Sequence, residues 1–171
     1  MPARSIALSG LKAVLDGATQ RVTQEAAQQI VSDLIALGPW YSGQFAKNWV
    51  VQIGNKKIPA VVEPDGFKGR TTRSSVPIPL VPSLRGTGKK KTLGYTIGNR
   101  TTYRNIAMDL VPGRVTNARV ISAPQDWYRN YVEGGPLRDV LIAAIGKIGA
   151  DPKVRGYKKT VFIGPTGRLV R

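Results

Sequence analysis

Residues 8–39 read LSGLKAVLDGATQRVTQEAAQQIVSDLIALGP, and the rest of the architecture is organised around them. Apolar residues recur at Leu8, Leu11, Leu15, Ala18, Val22, Ala26, Ile30, Leu34 and Leu37. Steps of three and four put them on one stripe of an α-helix, whose period is close to 3.6 residues. Ser9 is a candidate N-cap, and Gly38-Pro39 stops the helix. At 1.5 Å per residue the helix extends roughly 45 Å. A stripe of that length needs a long surface to cover it, either a sheet or a neighbouring subunit.

Downstream, Trp40-Tyr41-Ser42-Gly43 leads into an expected strand from Phe45 to Ile53, closed by Gly54-Asn55. Residues 56–91 then change character, holding Pro59, Pro64, Pro77, Pro79 and Pro82. Proline removes backbone donors and clashes with the preceding turn, so no regular helix fits here. The run Val76-Pro77-Ile78-Pro79-Leu80-Val81-Pro82 suits an extended, polyproline-like path. A second strand is expected from Thr92 to Ile97, closed by Gly98-Asn99. Tyr103 to Leu110 follows, then a Pro112-Gly113 turn and a short strand at Arg119–Ile121. Pro124 to Val132 reads as a short helix, with Ser122 a candidate cap and Asp126 in its first turn. Gly134-Gly135 interrupts it, and Pro136 opens a second helix from Leu137 to Ile148. The end reads as a hairpin, with Thr160–Ile163 and Arg168–Val170 around Gly164-Pro165-Thr166-Gly167.

The expectation is one α+β domain over residues 1–171. A long N-terminal amphipathic helix packs on a small antiparallel sheet. A long Pro/Gly-rich basic loop occupies 56–91, and a C-terminal helix and hairpin follow. The basic tail spans 151–171. There is no internal repeat. No apolar run reaches the roughly 20 residues that span a bilayer, and the start of the chain lacks a signal-like apolar core. A soluble, unprocessed protein with no membrane partner is expected.

Lys and Arg number 26 against 10 Asp and Glu, a formal charge of +16. Such a field favours acidic partners, whether nucleic acid, anionic lipid or an acidic protein surface. The distribution is uneven. Met1–Gly38 carries three bases and three acids, whereas Lys56–Arg104 carries eleven bases against Glu63 and Asp65. Pro152–Arg171 adds six bases and no acid. Three readings of the basic loop stand side by side: a solvated segment, a contact for a nucleic-acid backbone, or a dock for an acidic protein. The candidate contacts are Arg70, Arg73, Arg85, Lys89, Lys90 and Lys91. Phe67 is the only aromatic residue between Lys56 and Tyr95, which disfavours base stacking and favours sequence-independent contact.

The chain has no histidine and no cysteine. That removes the Ser-His and Cys-His nucleophile pairs and zinc sites built on nitrogen and sulfur. Of the acids only Glu63 and Asp65 lie close together, in a stretch that reads as a solvated turn more readily than as a catalytic pair. The run Gly86-Thr87-Gly88-Lys89-Lys90-Lys91-Thr92 fails as a phosphate loop: position 83 is serine where glycine is needed, and Lys90 replaces the Mg²⁺-binding hydroxyl. Ser9-Gly10-Leu11-Lys12 has the Ser-x-x-Lys spacing but no partner motif. No catalytic residue, metal ligand or cofactor is expected.

Two segments carry a resemblance. Gly38-Pro39-Trp40-Tyr41-Ser42-Gly43-Gln44-Phe45-Ala46-Lys47-Asn48-Trp49 is similar to a Pro-x-x-Thr/Ser-Gly signature followed by Ser/Asn-Trp/Ile. Tyr95-Thr96-Ile97-Gly98-Asn99, followed by Tyr103, Asp109 and Gly113, resembles a strand, Asn, Tyr and acidic–glycine block. Both belong, in this order, to the lambdoid neck, or minor tail protein Z-like, family of long-tailed phages. The likeness covers roughly residues 8–113. It departs from the pattern at Arg104, where alanine is usual, and at Asp109, where glutamate is usual.

The resemblance implies a non-catalytic assembly part of the virion neck, put together in the host cytoplasm. It implies copies around the head–tail channel in a ring, touching connector, tail-terminator or tail-tube proteins and the genomic DNA passing through. On the residues themselves, Pro39, Ser42, Gly43, Asn48, Trp49, Asn99, Tyr103, Asp109 and Gly113 read first as structural. Ser42-Gly43 makes a turn, Trp49 and Tyr103 are core aromatics with a satisfied polar end, and the two asparagines tie loops to strands. A nucleic-acid-coating protein is the rival reading. A phosphoryl-transfer enzyme with converged carboxylates is a third.

Overall fold

The computed structural model describes residues 3–40, 43–63, 76–84, 94–109, 123–124 and 126–154. In chain order these form α1 (Ala3–Leu37), α2 (Gln44–Lys47), β1 (Trp49–Ile53), β2 (Tyr95–Asn99), α3 (Arg104–Asp109), α4 (Trp127–Glu133) and α5 (Pro136–Ala150). The expected C-terminal hairpin, the strand at 119–121 and the Ser122 cap lie outside the described residues.

The architecture is α+β, with the long N-terminal helix packed on a two-stranded antiparallel sheet. The helix begins at Ala3, so Ser9 is an interior residue and not its cap. Gly38 closes it, donating its N–H to the Leu34 carbonyl at 3.1 Å. Burial does not follow one straight stripe. Ala18, Val22 and Ala26 are buried, and further along Ala27, Val31, Leu34 and Ile35 are too, whereas Leu15 and Leu37 are 36% and 47% exposed. The reason is that α1 meets different neighbours along its length. Val22 and Ala26 face α5, and Val31, Leu34 and Ile35 enter the central core. The buried face therefore turns around the helix as the covering element changes.

The expected strand from Phe45 breaks in two. Gln44–Lys47 is one helical turn, and only Trp49–Ile53 is extended. Gly43 sits at φ 82°, a left-handed conformation that suits glycine, and its carbonyl accepts from Lys47 N–H at 3.0 Å to close the turn. That turn drives Phe45 and Ala46 into the core, where a strand would have pointed one of them to the opposite face.

In the sheet, Trp49 pairs with Asn99, Val51 with Ile97 and Ile53 with Tyr95. Gly98 and Asn99, expected to follow the second strand, are its last two residues. Val51 and Ile97 lie together against the core. On the other face Gly98 leaves room for Ile58: a Cβ there would stand 2.9 Å from Ile58 Cδ1. Val62 bridges to Thr101 in parallel, so the early part of the Pro-rich stretch touches the chain just past β2.

The core centres on Phe45. Its ring meets Trp49 at 5.5 Å and Trp127 at 6.3 Å, both edge-on, and Tyr103 at 6.4 Å. Residues 76–84 form a strap with neither helix nor strand, in keeping with their prolines. Val76, Val81 and Leu84 are buried and Leu80 is 89% exposed. The strap is tied to α1 by Gln24 Nε2, which donates to Val81 O at 3.0 Å, and to β2 by the Tyr95 hydroxyl, which donates to Pro82 O at 2.6 Å.

Asp126 precedes α4 as its N-cap, at φ 58°, and is not in its first turn. Pro136 starts α5 as expected. α5 runs antiparallel to α1: Lys147 Nζ reaches Glu25 Oε2 at 3.1 Å, and beyond the end of α5 Asp151 is ion-paired with Arg21. Among the described residues no helix is long and apolar enough to cross a membrane.

Candidate functional site

The two sequence motifs meet at one buried junction. The register that pairs Trp49 with Asn99 brings the end of the first motif beside the start of the second. Asn99 is fully buried. Its Nδ2 donates to Phe45 O at 2.7 Å, and its Oδ1 accepts from Thr101 N at 3.0 Å and Thr101 Oγ1 at 2.8 Å. Every bond is internal to the fold, as a buried amide requires. Asn48 works alongside: its Nδ2 donates to Gln44 O at 2.7 Å, and its carbonyl accepts from Arg100 N at 3.0 Å. Gly43 shapes the turn before it, and Pro39 lies half-buried just after α1.

Tyr103 packs on Phe45, and Trp49 is buried as expected, but its indole N–H, expected to be satisfied, has no partner among the described residues. Asp109 ends α3. Ser42 and Gly113 lie outside the described residues.

Arg104, the departure from the alanine of the resemblance, has a specific task. Its Nη1 donates to Ile58 O at 2.9 Å and Asn99 O at 2.8 Å, clamping the start of the basic segment to the end of β2. Arg104 and Thr101 were not legible as junction residues. The Asn-x-Thr spacing at Asn99–Thr101 is the one available signal, since Asn side chains commonly bond backbone two residues on.

On the outer face of the sheet, Lys56, Lys57 and Arg104 border a cleft of about 480 Å³. Asn55, Ile58, Thr96 and Met108 complete much of its wall, and no carboxylate lines it among the described residues. Lys56, Lys57 and nearby Arg100 are exposed. This is the described part of the basic region. Arg70, Arg73, Arg85, Lys89, Lys90 and Lys91 lie outside the described residues.

Glu63 is exposed and accepts from Thr102 Oγ1 at 3.2 Å, and Asp65 lies outside the described residues. Among the described residues no group of three His, Cys, Asp or Glu converges as a metal site would require. A second, larger groove of about 720 Å³ separates α1 from α5, walled by Val22, Ala26, Val140, Ala143 and Ala144. No family model, curated protein or solved structure matches this chain.

Proposed function

We propose that this protein is a structural part of a tailed-phage neck, completing the tail and joining it to the head connector around the DNA channel. The observation that carries this reading is the junction itself. Two motifs, separated by some fifty residues, are stitched together through Asn99, Phe45 and Asn48. Residues used this way preserve a shape, which is what an assembly part must supply. In this role the protein sits in the virion neck as a ring of identical copies. Its partners are connector, tail-terminator or tail-tube proteins, and the exposed basic segment faces them or the DNA in the channel.

The test is co-purification of the full chain with phage connector proteins after nuclease treatment, with electron microscopy of the product. Rings or connector-bound particles that survive nuclease support the reading. A monomer that binds duplex DNA tightly and ignores connectors overturns it.

The basic cleft favours a second reading, a sequence-independent nucleic-acid contact. Lys56, Lys57 and Arg100 are exposed on one side of the sheet, where phosphates have access. If they neutralise phosphates, Lys56→Ala and Lys57→Ala each reduce the slope of log affinity against log salt by about 1. Unchanged slopes exclude this cleft as the contact.

A further inference from the structure

α5 is the least covered part of the described molecule for its composition. Its sequence, PLRDVLIAAIGKIGA, is apolar on nearly every side, yet none of its residues is buried. Helices apolar all round are ordinarily enclosed. α1 and α4 cover the flanks that hold Val140, Ala144 and Leu137. The remaining face presents Arg138, Leu141, Ile142, Ile145, Gly146 and Gly149, which recur at steps of three and four along one side. Leu141, Ile142 and Ile145 are 45%, 57% and 68% exposed, and there is open space above both glycines.

We propose that this face is a two-fold contact with a second copy of the chain, α5 packing antiparallel on α5. The stripe is self-complementary in that arrangement, whereas a parallel pair would set Arg138 against the partner's Arg138. With the axis between Ile142 and Ile145, Ile142 packs on the partner's Ile145 and Leu141 fills the notch over the partner's Gly146. Arg138 then lies over the partner's Gly149, at the C-terminal turn of its helix. There the last carbonyls carry the negative end of the helix dipole and accept a guanidinium. Among the described residues Arg138 pairs only loosely, with the adjacent Asp139 at 3.9 Å, and its side chain is exposed to such a partner. Lys147 is turned away from the stripe onto Glu25.

Charge also favours a second copy here over a highly charged partner. Residues 127–150 carry three bases and two acids, so two copies meet there with little repulsion despite a total of +16 each. The stripe buries on the order of 500 Å² per copy, near the lower end of specific interfaces, so a micromolar dimer is expected. An isologous contact closes on itself and neither builds nor requires the ring proposed above. The two readings therefore fail separately.

The experiment is sedimentation of the full chain from about 1 to about 200 μM, beside the double variant Ile142→Glu/Ile145→Glu. Both substituted positions are exposed, and circular dichroism checks that the variant folds. The expected result is a concentration-dependent dimer whose dissociation constant rises at least ~100-fold in the variant. The chain has no cysteine, so a second readout is clean: Ile142→Cys protein mixed with Ile145→Cys protein forms a disulfide-linked pair faster than either alone. A monomer at every concentration overturns the proposal, whether residues 155–171 or an unrelated protein covers the face. So does a dimer indifferent to the double substitution.

Discussion

The side-chain amide of Asn99 and the main-chain carbonyl of Phe45 are joined by a buried 2.7 Å hydrogen bond across 54 residues of sequence. The same side chain holds Thr101 through its oxygen, so one residue serves a helical turn, a strand end and the following bend. Asn99→Leu keeps the volume and removes both functions, leaving the Thr101 N–H buried without this acceptor and the Phe45 carbonyl with the longer bond from Asn48 N–H at 3.3 Å. A loss of about 3 kcal/mol is expected. Thr101→Val removes only the hydroxyl bond and costs about 1 kcal/mol. Urea denaturation midpoints at unchanged slope measure both, and the order of the two variants is the test.

Gly98 and Ile58 are in close contact: a Cβ at 98 would stand 2.9 Å from Ile58 Cδ1 and 3.5 Å from its Cβ, so the Ile58 side chain would have to shift. Gly98→Val forces Ile58 off the sheet and lowers stability by about 2 kcal/mol. Ile58→Ala in the same background restores part of that loss, since the obstruction is then gone. Thermal melts of the two single variants and the double variant show the coupling.

Gly17 lies in the interior of α1 with open space where a Cβ would be. Gly17→Ala is expected to stabilise the protein by about 0.5–1 kcal/mol, because alanine has less backbone entropy to lose. A rise in Tm of about 1–4 °C is the readout.

Tyr131 is buried and donates to Asp33 Oδ2 at 3.0 Å. Burial, then the Asp33 charge and the hydrogen bond to it, raise its hydroxyl above the ordinary value of 10.0, and burial raises Tyr95 in the same direction. A folded-state pKa raised above the unfolded one contributes stability that is complete below the unfolded value. That stability is lost as pH rises from about 10 through the folded value. Unfolding free energy should therefore be flat near pH 8–9 and fall above about pH 10. Tyr131→Phe lowers stability by about 1 kcal/mol at neutral pH and makes the alkaline decline shallower. Denaturant titrations at several pH values check both parts.

Local signals in the chain were legible and strong. The period-3.6 apolar pattern marked α1, and Gly38-Pro39 marked its end. Pro136 marked the start of α5, and the prolines of 76–84 marked a segment without helix. Each is a property of a few neighbouring residues, so no distant partner is needed to read it. Asn99 does tie distant backbone segments together, as expected, whereas the Asn48 side chain bonds Gln44 O within its own helical turn. The helical turn at Gln44–Lys47 was not legible, because Phe45 and Ala46 suit a strand equally well until Gly43 reverses the chain.

Composition and spacing by themselves determined an α+β chain with a neutral long helix, a basic Pro-rich segment, and neither histidine nor cysteine for chemistry. Only the tertiary structure decided which face of that helix is buried at each point, since burial depends on whether α5 or the Phe45 core lies opposite. It alone turned Arg104 from one more positive charge into a clamp on two carbonyls, because those carbonyls are 46 and 5 residues away along the chain. And it alone showed that, among the described residues, α1 and α4 cover the flanks of α5 but leave Leu141, Ile142 and Ile145 exposed. A sequence reports how apolar a helix is, but its exposure is set by the neighbours that the rest of the chain supplies or withholds.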